Sequence, residues 1–494
     1  MYRSNQNQML LPHEFFLPFG GRLNAENQWC RLAMLIPWGE FEERYAKCFK
    51  KRHTGQIALS VRLALGTLII QNRKGLSDRD TVEEIVENPY LQYFIGLSGF
   101  IEKNAFDPSL MVHFRRRLGK DIINEVNEAV AKAGLQQMKK GKDDDDDDEN
   151  ISGNGAADSA ENSIDEEETD KAKKKGKLIL DATCTPADIH YPTDIDLLND
   201  VRKALEEIID VLHKPHVGKD LKPRTYRDCA RRDYLHISKK RRKSVKEIRK
   251  AIGQQLRYVR RDLEIVRIMA GKSPLRLLNK RQYRNLLVGQ EIYRQQLDMY
   301  TKRSHTVEGR IVSLHMPFIR PIVRGKSSAD VEFGGKLAIS VVNGFSFMEH
   351  LSFDSFNEGI TLIQSVKNYR ERFGYYPEAV IADKIYRNRD NLQYCKSRGI
   401  RLSGPPLGRP PKDQELLKEQ KRQERMDAGI RNAVEGKFGE GKRSYGLNRI
   451  MARLKETSET VIAMQLLVMN LEHWLRILFA LLFRRYFWLA KTAI

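Results

Sequence analysis

Apolar residues along the first quarter of the chain recur with a helical period. Over residues 25–51 the pattern runs through Leu32, Leu35, Phe41, Tyr45 and Phe49, the spacing of one face of a helix. Residues 57–71 predict a second apolar helix. Residues 77–87 predict a third, with Ser77 as N-cap and Asp78 and Asp80 in its first turn, where acids suit the positive end of the helix dipole. Pro89 opens a fresh segment over 90–97. Asp107-Pro108 then opens a helix that ends in Phe114-Arg115-Arg116-Arg117-Leu118, with an acidic cap, a proline in the first turn and a basic end. This pattern predicts an all-helical domain over residues 1–138.

The period changes at residue 177. Lys177-Leu178-Ile179-Leu180-Asp181-Ala182-Thr183 is a short apolar run that reads as a buried central strand, with Asp181 at its exit. Ala379-Val380-Ile381-Ala382-Asp383 repeats the arrangement. Residues 335–353 read as a hairpin about Asn343-Gly344, the strongest short turn pair. Helices are expected over 357–373 and 388–397, a short strand over 400–402, a highly charged helix over 413–442, and a closing apolar helix beyond residue 459. Strand, helical insertion, hairpin, helix, strand, helix, strand, helix is the order of an α/β domain with a mixed sheet and flanking helices.

Between the first strand and the hairpin, residues 201–310 carry 30 Lys or Arg against 12 acids. Val245, Ile252, Val259 and Val266 recur every seven residues, with Ile248, Leu256 and Leu263 between them, the buried stripe of a long amphipathic helix. Ser273-Pro274 reads as the start of a second helix over 275–299 that returns antiparallel. The run Lys239-Lys240-Arg241-Arg242-Lys243 stands at the first helix's start. The stretch is read as a basic helical insertion that contacts DNA.

Composition points the same way. The formal charge is +21, although residues 143–170 are rich in acids and contain no Lys or Arg. A basic excess of this kind favours a polyanionic partner, because each neutralised phosphate releases counterions. Residues 139–176 form an acidic linker with too little apolar content to repay the entropy of ordering. Five scattered cysteines with no CxxC pair argue against a disulfide framework and for a reducing compartment. No signal pattern opens the chain, and the stretch 466–483 is interrupted by Glu472, His473 and Arg476. A soluble cytoplasmic protein is expected, with no membrane partner.

Asp181, Asp383 and Glu435 are the candidates for holding divalent metal, because hard cations prefer carboxylate oxygens. Asp188, Asp194 and Glu332 lie close enough in sequence to substitute. Arg431, Glu435 and Lys442 would share one face of a continuous helix, although Gly436, Gly439 and Gly441 weaken it and could leave Lys442 past its end.

The spacing R-(3)-E-(6)-K over Arg431, Glu435 and Lys442 resembles the Y-(2)-R-(3)-E-(6)-K signature of DDE transposases of bacterial insertion sequences. The family's Tyr would fall at Ala428, so its role is vacant or filled elsewhere. The resemblance extends to Leu180-Asp181-Ala182-Thr183 and to Ala382-Asp383-Lys384-Ile385-Tyr386. It also takes in Leu76-Ser77-Asp78-Arg79, the stretch from Asn88 to Phe94, and Phe114-Arg115-Arg116-Arg117-Leu118 of the helical region.

The resemblance implies an RNase H-like catalytic domain over 177–200 and 311–458, interrupted by the insertion at 201–310 and followed by a C-terminal helix over 459–494. It implies cleavage at the ends of an insertion sequence and strand transfer into target DNA. That chemistry calls for two Mg²⁺ ions, with Mn²⁺ as substitute, roughly 4 Å apart, held by Asp181, Asp383 and Glu435. Arg431, Lys442 and Lys384 would hold DNA phosphates. Arg115, Arg116 and Arg117 would do so from a helix-turn-helix-like reader, where Arg73, Lys74 and Arg79 are also candidates. The expected partners are double-stranded DNA (terminal inverted repeats and target) and a second copy in a homodimer on DNA, in a bacterial cytoplasm at the nucleoid. A non-catalytic DNA-binding repressor derived from a transposase, and a nuclease without joining activity, are the alternatives.

The acidic segment is read as a spacer rather than an internal mimic of DNA. Deleting residues 143–170 is expected to leave DNA affinity and its salt dependence unchanged in a filter-binding titration. Tighter binding with a steeper salt slope would instead identify the segment as a competitor for the basic surface.

Overall fold

Pro37 breaks the first helix expected from the sequence. In the computed structural model, which describes residues 2, 11–49, 57–146, 174–326, 329–405 and 413–492, the stretch divides into α1 (Gln28–Leu35) and α2 (Glu42–Lys47), with a 3-10 turn at Trp38–Phe41 between them. Helix α3 (Val61–Lys74) starts later than expected, at the Ser60 cap, and Gly75 ends it in the left-handed conformation. Helix α4 (Asp78–Glu87) is capped by Ser77 as expected, and α5 (Pro89–Phe94) by Asn88. Helix α6 (Leu110–Asp146) bends at Gly119, where φ is 59° and ψ 174°. Its first part therefore stops at Leu118, as expected, but the chain re-enters a helix that runs on through the start of the acidic stretch. The rest of the acidic linker, residues 147–173, lies outside the described residues.

The sheet begins with β1 (Lys177–Pro186). Helices α7 (Asp194–His213), α8 (Arg227–Ser238), α9 (Val245–Lys272) and α10 (Lys280–Lys302) make up the insertion. Then come β2 (Arg320–Lys326), β3 (Ala329–Val342), β4 (Phe345–Ser352), α11 (Leu362–Phe373), β5 (Ala379–Ile381), α12 (Arg389–Ser397), β6 (Arg401–Leu402), α13 (Gln414–Ser444) and α14 (Lys455–Thr492). The strand order is β2-β3-β1-β5-β6, with β4 also paired to β3. Strand β1 is antiparallel to β3 and parallel to β5, so the sheet is mixed and β1 is central. The β3–β4 hairpin turns at Asn343 and Gly344, both at positive φ, as that pair favours.

Alternation along β1 sends Ile179, Asp181 and Thr183 to one face. Ile179 packs there with Ile339, Ile381, Val434 and Phe438, which brings α13 over the sheet. Leu178 and Leu180 face the other way, into a core shared with α11 and the N-terminal helices. Helix α14 enters both cores. The stretch Lys455–Ala480 is apolar and long enough to cross a membrane by length and composition alone. Most of it is buried, as the core helix of a globular fold would be. A buried polar knot fixes it: the Asn470 amide donates to Asn127 Oδ1 and to the Ser346 carbonyl, both at 2.8 Å, and its oxygen accepts from the Ser346 backbone at 2.8 Å. Helices α6 and α14 and strand β4 meet there, and an unpaired partner would cost about 1–3 kcal/mol.

The insertion has its own core, from Leu198, Val201 and Leu205 of α7 to Leu256, Val259 and Val266 of α9 and Leu286 of α10. Val245, read as the first residue of the buried stripe, is 83% exposed. Ser273 closes α9 rather than opening the next helix, and Asn279 with Gln282 forms the capping box of α10. Helix α8 was not anticipated. Its core-facing residues, Ala230 and Ile237, are too few to show a period.

Within this core Asp262 is fully buried, and neither carboxylate oxygen has a hydrogen-bond partner. Burial, reinforced by the Glu206 charge, pushes it up to about 8 from an ordinary 3.8. The folded protein therefore holds a proton that the unfolded chain releases, and stability from this group falls as pH rises from about 4 to about 8. Asp262→Asn is expected to raise stability more at pH 8 than at pH 5 in chemical denaturation. An equal or smaller gain at pH 8 would contradict this.

Candidate active site

The two strand-borne acids come together because β1 and β5 are parallel neighbours, with Ile179 opposite Ile381. Asp181 and Asp383 each lie two residues beyond that pair and share its face. Asp181 is not at a strand exit as expected: β1 continues to Pro186, and Asp181 stands mid-strand opposite Ile339 of β3. It is half-buried, and its Oδ1 accepts from its neighbour's amide, Ala182 N–H, at 2.8 Å. Asp383 is exposed and caps the 3-10 turn Lys384–Tyr386, accepting from Lys384 N–H at 2.7 Å. The Ser403 hydroxyl bridges both the amide and the carbonyl of Ala382, at 2.9 and 3.0 Å, and so extends the β5–β6 pairing to the residue before Asp383.

Glu435 reaches the site on α13. Val434 and Phe438 bury themselves against the sheet, and Arg401 of β6 holds Asp427 of the same helix through two bonds at 2.5 and 2.9 Å. Glu435 is exposed and pairs with Arg431 at 3.1 Å. Arg431 also acts on Asp181, favouring its ionised form, so one guanidinium bears on both the first and the third acids. The glycines at 436, 439 and 441 do not end the helix: α13 runs through Lys442, which lies in its last turn and is half-buried. Position 428, where the family's signature has Tyr, is exposed.

Asp181 is pushed up to about 6, chiefly by burial, with the charges of Glu358 and Asp383 adding to it. Glu358 was not expected from the sequence; it opens the 3-10 turn between β4 and α11. Crowded hard oxygen donors that resist ionising together are a donor set a divalent cation would relieve, and in that chemistry the residues fit one. Among the described residues no three His, Cys, Asp or Glu side chains are gathered closely enough to hold an ion as they stand. Glu435 is turned to Arg431 instead.

The alternative acids are engaged elsewhere. Asp188 pairs with Arg449 at 2.7 Å, and Asp194 with Arg310 at 2.7 Å. Glu332 lies in β3 opposite Ile322 of β2. Of the basic residues read as DNA contacts, Lys239, Lys240, Arg241, Arg242 and Lys243 are all exposed in the α8–α9 connection, Lys240 pairing with Glu247. Lys384 and Arg116 are exposed. Arg115 is instead spent on Asp78, at 2.6 Å, and on Gln71. Arg117 lies over the Phe49 ring, Arg73 pairs with Glu472 and Lys74 with Glu84, and Arg79 is exposed.

Comparison with known proteins bears on this site directly. The family model for the transposase DDE domain matches residues 380–472, which carry Asp383, Arg431, Glu435 and Lys442 but begin after Asp181. The model for a transposase domain, DUF772, matches residues 18–117, from before α1 into α6. In these two stretches the chain is similar to DDE transposases of insertion-sequence type. An uncharacterized protein, ORF8 in the nfe locus of Rhizobium meliloti, is 35% identical over 114 residues, which is 23% of this chain and 54% of that protein. The chain thus spans about half the length of this curated relative. No solved structure matches.

If the crowding at Asp181 serves function rather than folding, Asp181→Asn should raise the midpoint of thermal unfolding in EDTA by roughly 1–3 °C. A lowered midpoint would make Asp181 a structural residue.

Proposed function

We propose that the chain is the transposase of an insertion sequence, cutting DNA at the element's ends and joining the freed ends to target DNA. The observation that carries this reading is that Asp181 on β1 and Asp383, just past the end of its parallel neighbour β5, are brought to one end of the sheet, with α13 laid over it so that Arg431 acts on both Asp181 and Glu435. The central β1, with antiparallel partners on one side and parallel ones on the other, supports an RNase H-like domain. The helical stretch before it is the expected place for recognition of the terminal repeats.

The chemistry is two displacements at phosphorus. In the first, water attacks, the bond from phosphorus to the 3′-oxygen breaks, and that oxygen takes a proton to become a 3′-OH. In the second, the 3′-OH attacks a target phosphodiester, loses its proton, and displaces the target's own 3′-oxygen, which is protonated. Mg²⁺, or Mn²⁺ in its place, supplies charge at the attacking and leaving oxygens when bound.

The chain's own residues provide the rest. Asp181 presents its carboxylate from a central strand, and Asp383 from the turn that follows β5. Glu435 joins them once its pairing with Arg431 is given up. Arg431, released, would meet a DNA phosphate, as would Lys384, next to Asp383, and Lys442, about three turns further along α13. The exposed run at 239–243, on an insertion tied to the sheet domain, adds a second basic surface for duplex DNA, whose phosphates such side chains attract without reading sequence. Synapsis of two ends would use a homodimer.

DNA carrying the element's terminal repeats should be nicked at the ends in Mg²⁺ or Mn²⁺ and joined to a target plasmid. Asp181→Ala, Asp383→Ala and Glu435→Ala should each reduce both products by at least about a thousandfold, with DNA binding kept. End-specific binding with no cleavage by the unaltered protein would make it a repressor. Cleavage without joined products would make it a nuclease.

A further inference from the structure

Glu358 occupies a built position at this end of the sheet. The residue after it, Gly359, lies against the turn that follows Asp383: a Cβ there would meet the Ile385 carbonyl oxygen at 2.7 Å, so the approach of the two turns needs glycine. Asn391, only 2% exposed, donates its side-chain amide to the carbonyls of both Gly359 and Tyr386, at 2.7 and 2.8 Å. The Thr361 hydroxyl donates to the carbonyl of Glu358 at 2.9 Å. Glu358 and Asp383 are thus fastened to one clamp.

Tyr386 is held in the same clamp. Its ring is fully buried. Burial first, then the charges of Glu358 and Asp181, oppose ionisation of its hydroxyl, while the Thr361 side chain favours it.

Glu358 has its own basic partner. Lys336 Nζ lies 3.0 Å from Glu358 Oε1, donates to the Phe356 carbonyl at 2.8 Å and sits over the Phe356 ring. Glu358 is to Lys336 as Glu435 is to Arg431: an acid of the site neutralised by a basic side chain, from β3 in the first case and from the same helix in the second.

We propose that Glu358 is a fourth carboxylate of the site, directed at a divalent cation together with Asp181 and Asp383, with Lys336 holding its charge when no cation is bound. The proposal rests on the metal-dependent reading above, and it assigns Lys336 the part of an internal competitor for the ion.

Titration of the full-length protein with Mn²⁺, followed by calorimetry and by the electron paramagnetic resonance signal of free Mn²⁺, tests it without DNA or turnover. Glu358→Gln is expected to weaken Mn²⁺ binding roughly 10- to 100-fold, and Glu358→Asp, which keeps the carboxylate, to weaken it less. Lys336→Met, which leaves the acid and removes the competing charge, is expected to tighten binding. Unchanged affinity in Glu358→Gln, or weakened affinity in Lys336→Met, overturns the proposal. Asp181→Asn separates the two levels. If it abolishes Mn²⁺ binding while Glu358→Gln does not change it, the metal-dependent reading stands and the role of Glu358 falls. If Asp181→Asn binds Mn²⁺ as the unaltered protein does, both fall.

Discussion

A half-buried carboxylate with two other acids acting on it resists ionisation unless donors or positive charge are brought to it. Asp181 is in that position. Burial and the charges of Glu358 and Asp383 oppose its ionisation, and the Ala182 N–H and Arg431 favour it. Arg431 and Lys336 each pair with one further acid, Glu435 and Glu358. The positive charge that keeps the site tolerable in the free protein therefore comes from two side chains on separate elements.

The scaffold supplies rigidity where the acids need it and latitude where they do not. Asp181 and Asp383 are set by backbone pairing of β1 with β5 and of β5 with β6. Glu435 depends on a helix whose docking rests on Val434, Phe438 and the Arg401–Asp427 pair, while its own side chain is exposed. Asp181 is fixed within a paired strand, Asp383 sits in the turn just past one, and Glu435 is on an exposed position of a helix. In such a site binding energy can complete the constellation only when the ligands are present. The N-terminal helices are not a detached module: α6, α14 and β4 share the Asn127–Ser346–Asn470 knot, so the region matched by the second transposase model is coupled through α6 to the sheet that carries the acids.

Much of this was legible in the sequence, because local chemistry decides it. The Ser77 cap, the Asn343-Gly344 hairpin and the apolar runs before Asp181 and Asp383 each follow from residues adjacent in the chain. What was not legible depends on contacts between distant segments. Strand β2, Arg-Pro-Ile-Val-Arg-Gly-Lys, has no alternation to reveal it and is a strand because β3 pairs with it. Arg115 reads as a surface base but finds Asp78 across a helix pair. The continuation of α13 through three glycines is secured by burial of Phe438 and Gly441, which propensity alone does not foresee. Glu358 left only a faint cue, the glycine after it, whose need for close approach shows once the turn at 384–386 is in place. The departure at Ala428 from the family signature gains no structural explanation.

Locating manganese by its anomalous scattering in crystals of the full-length protein soaked in Mn²⁺ tests the central claim most directly. The account predicts a manganese site coordinated by both Asp181 and Asp383, at roughly 2.1 Å from oxygens of each, with Arg431 turned away from Asp181. Manganese bound elsewhere, with Asp181 still facing Arg431, would contradict it.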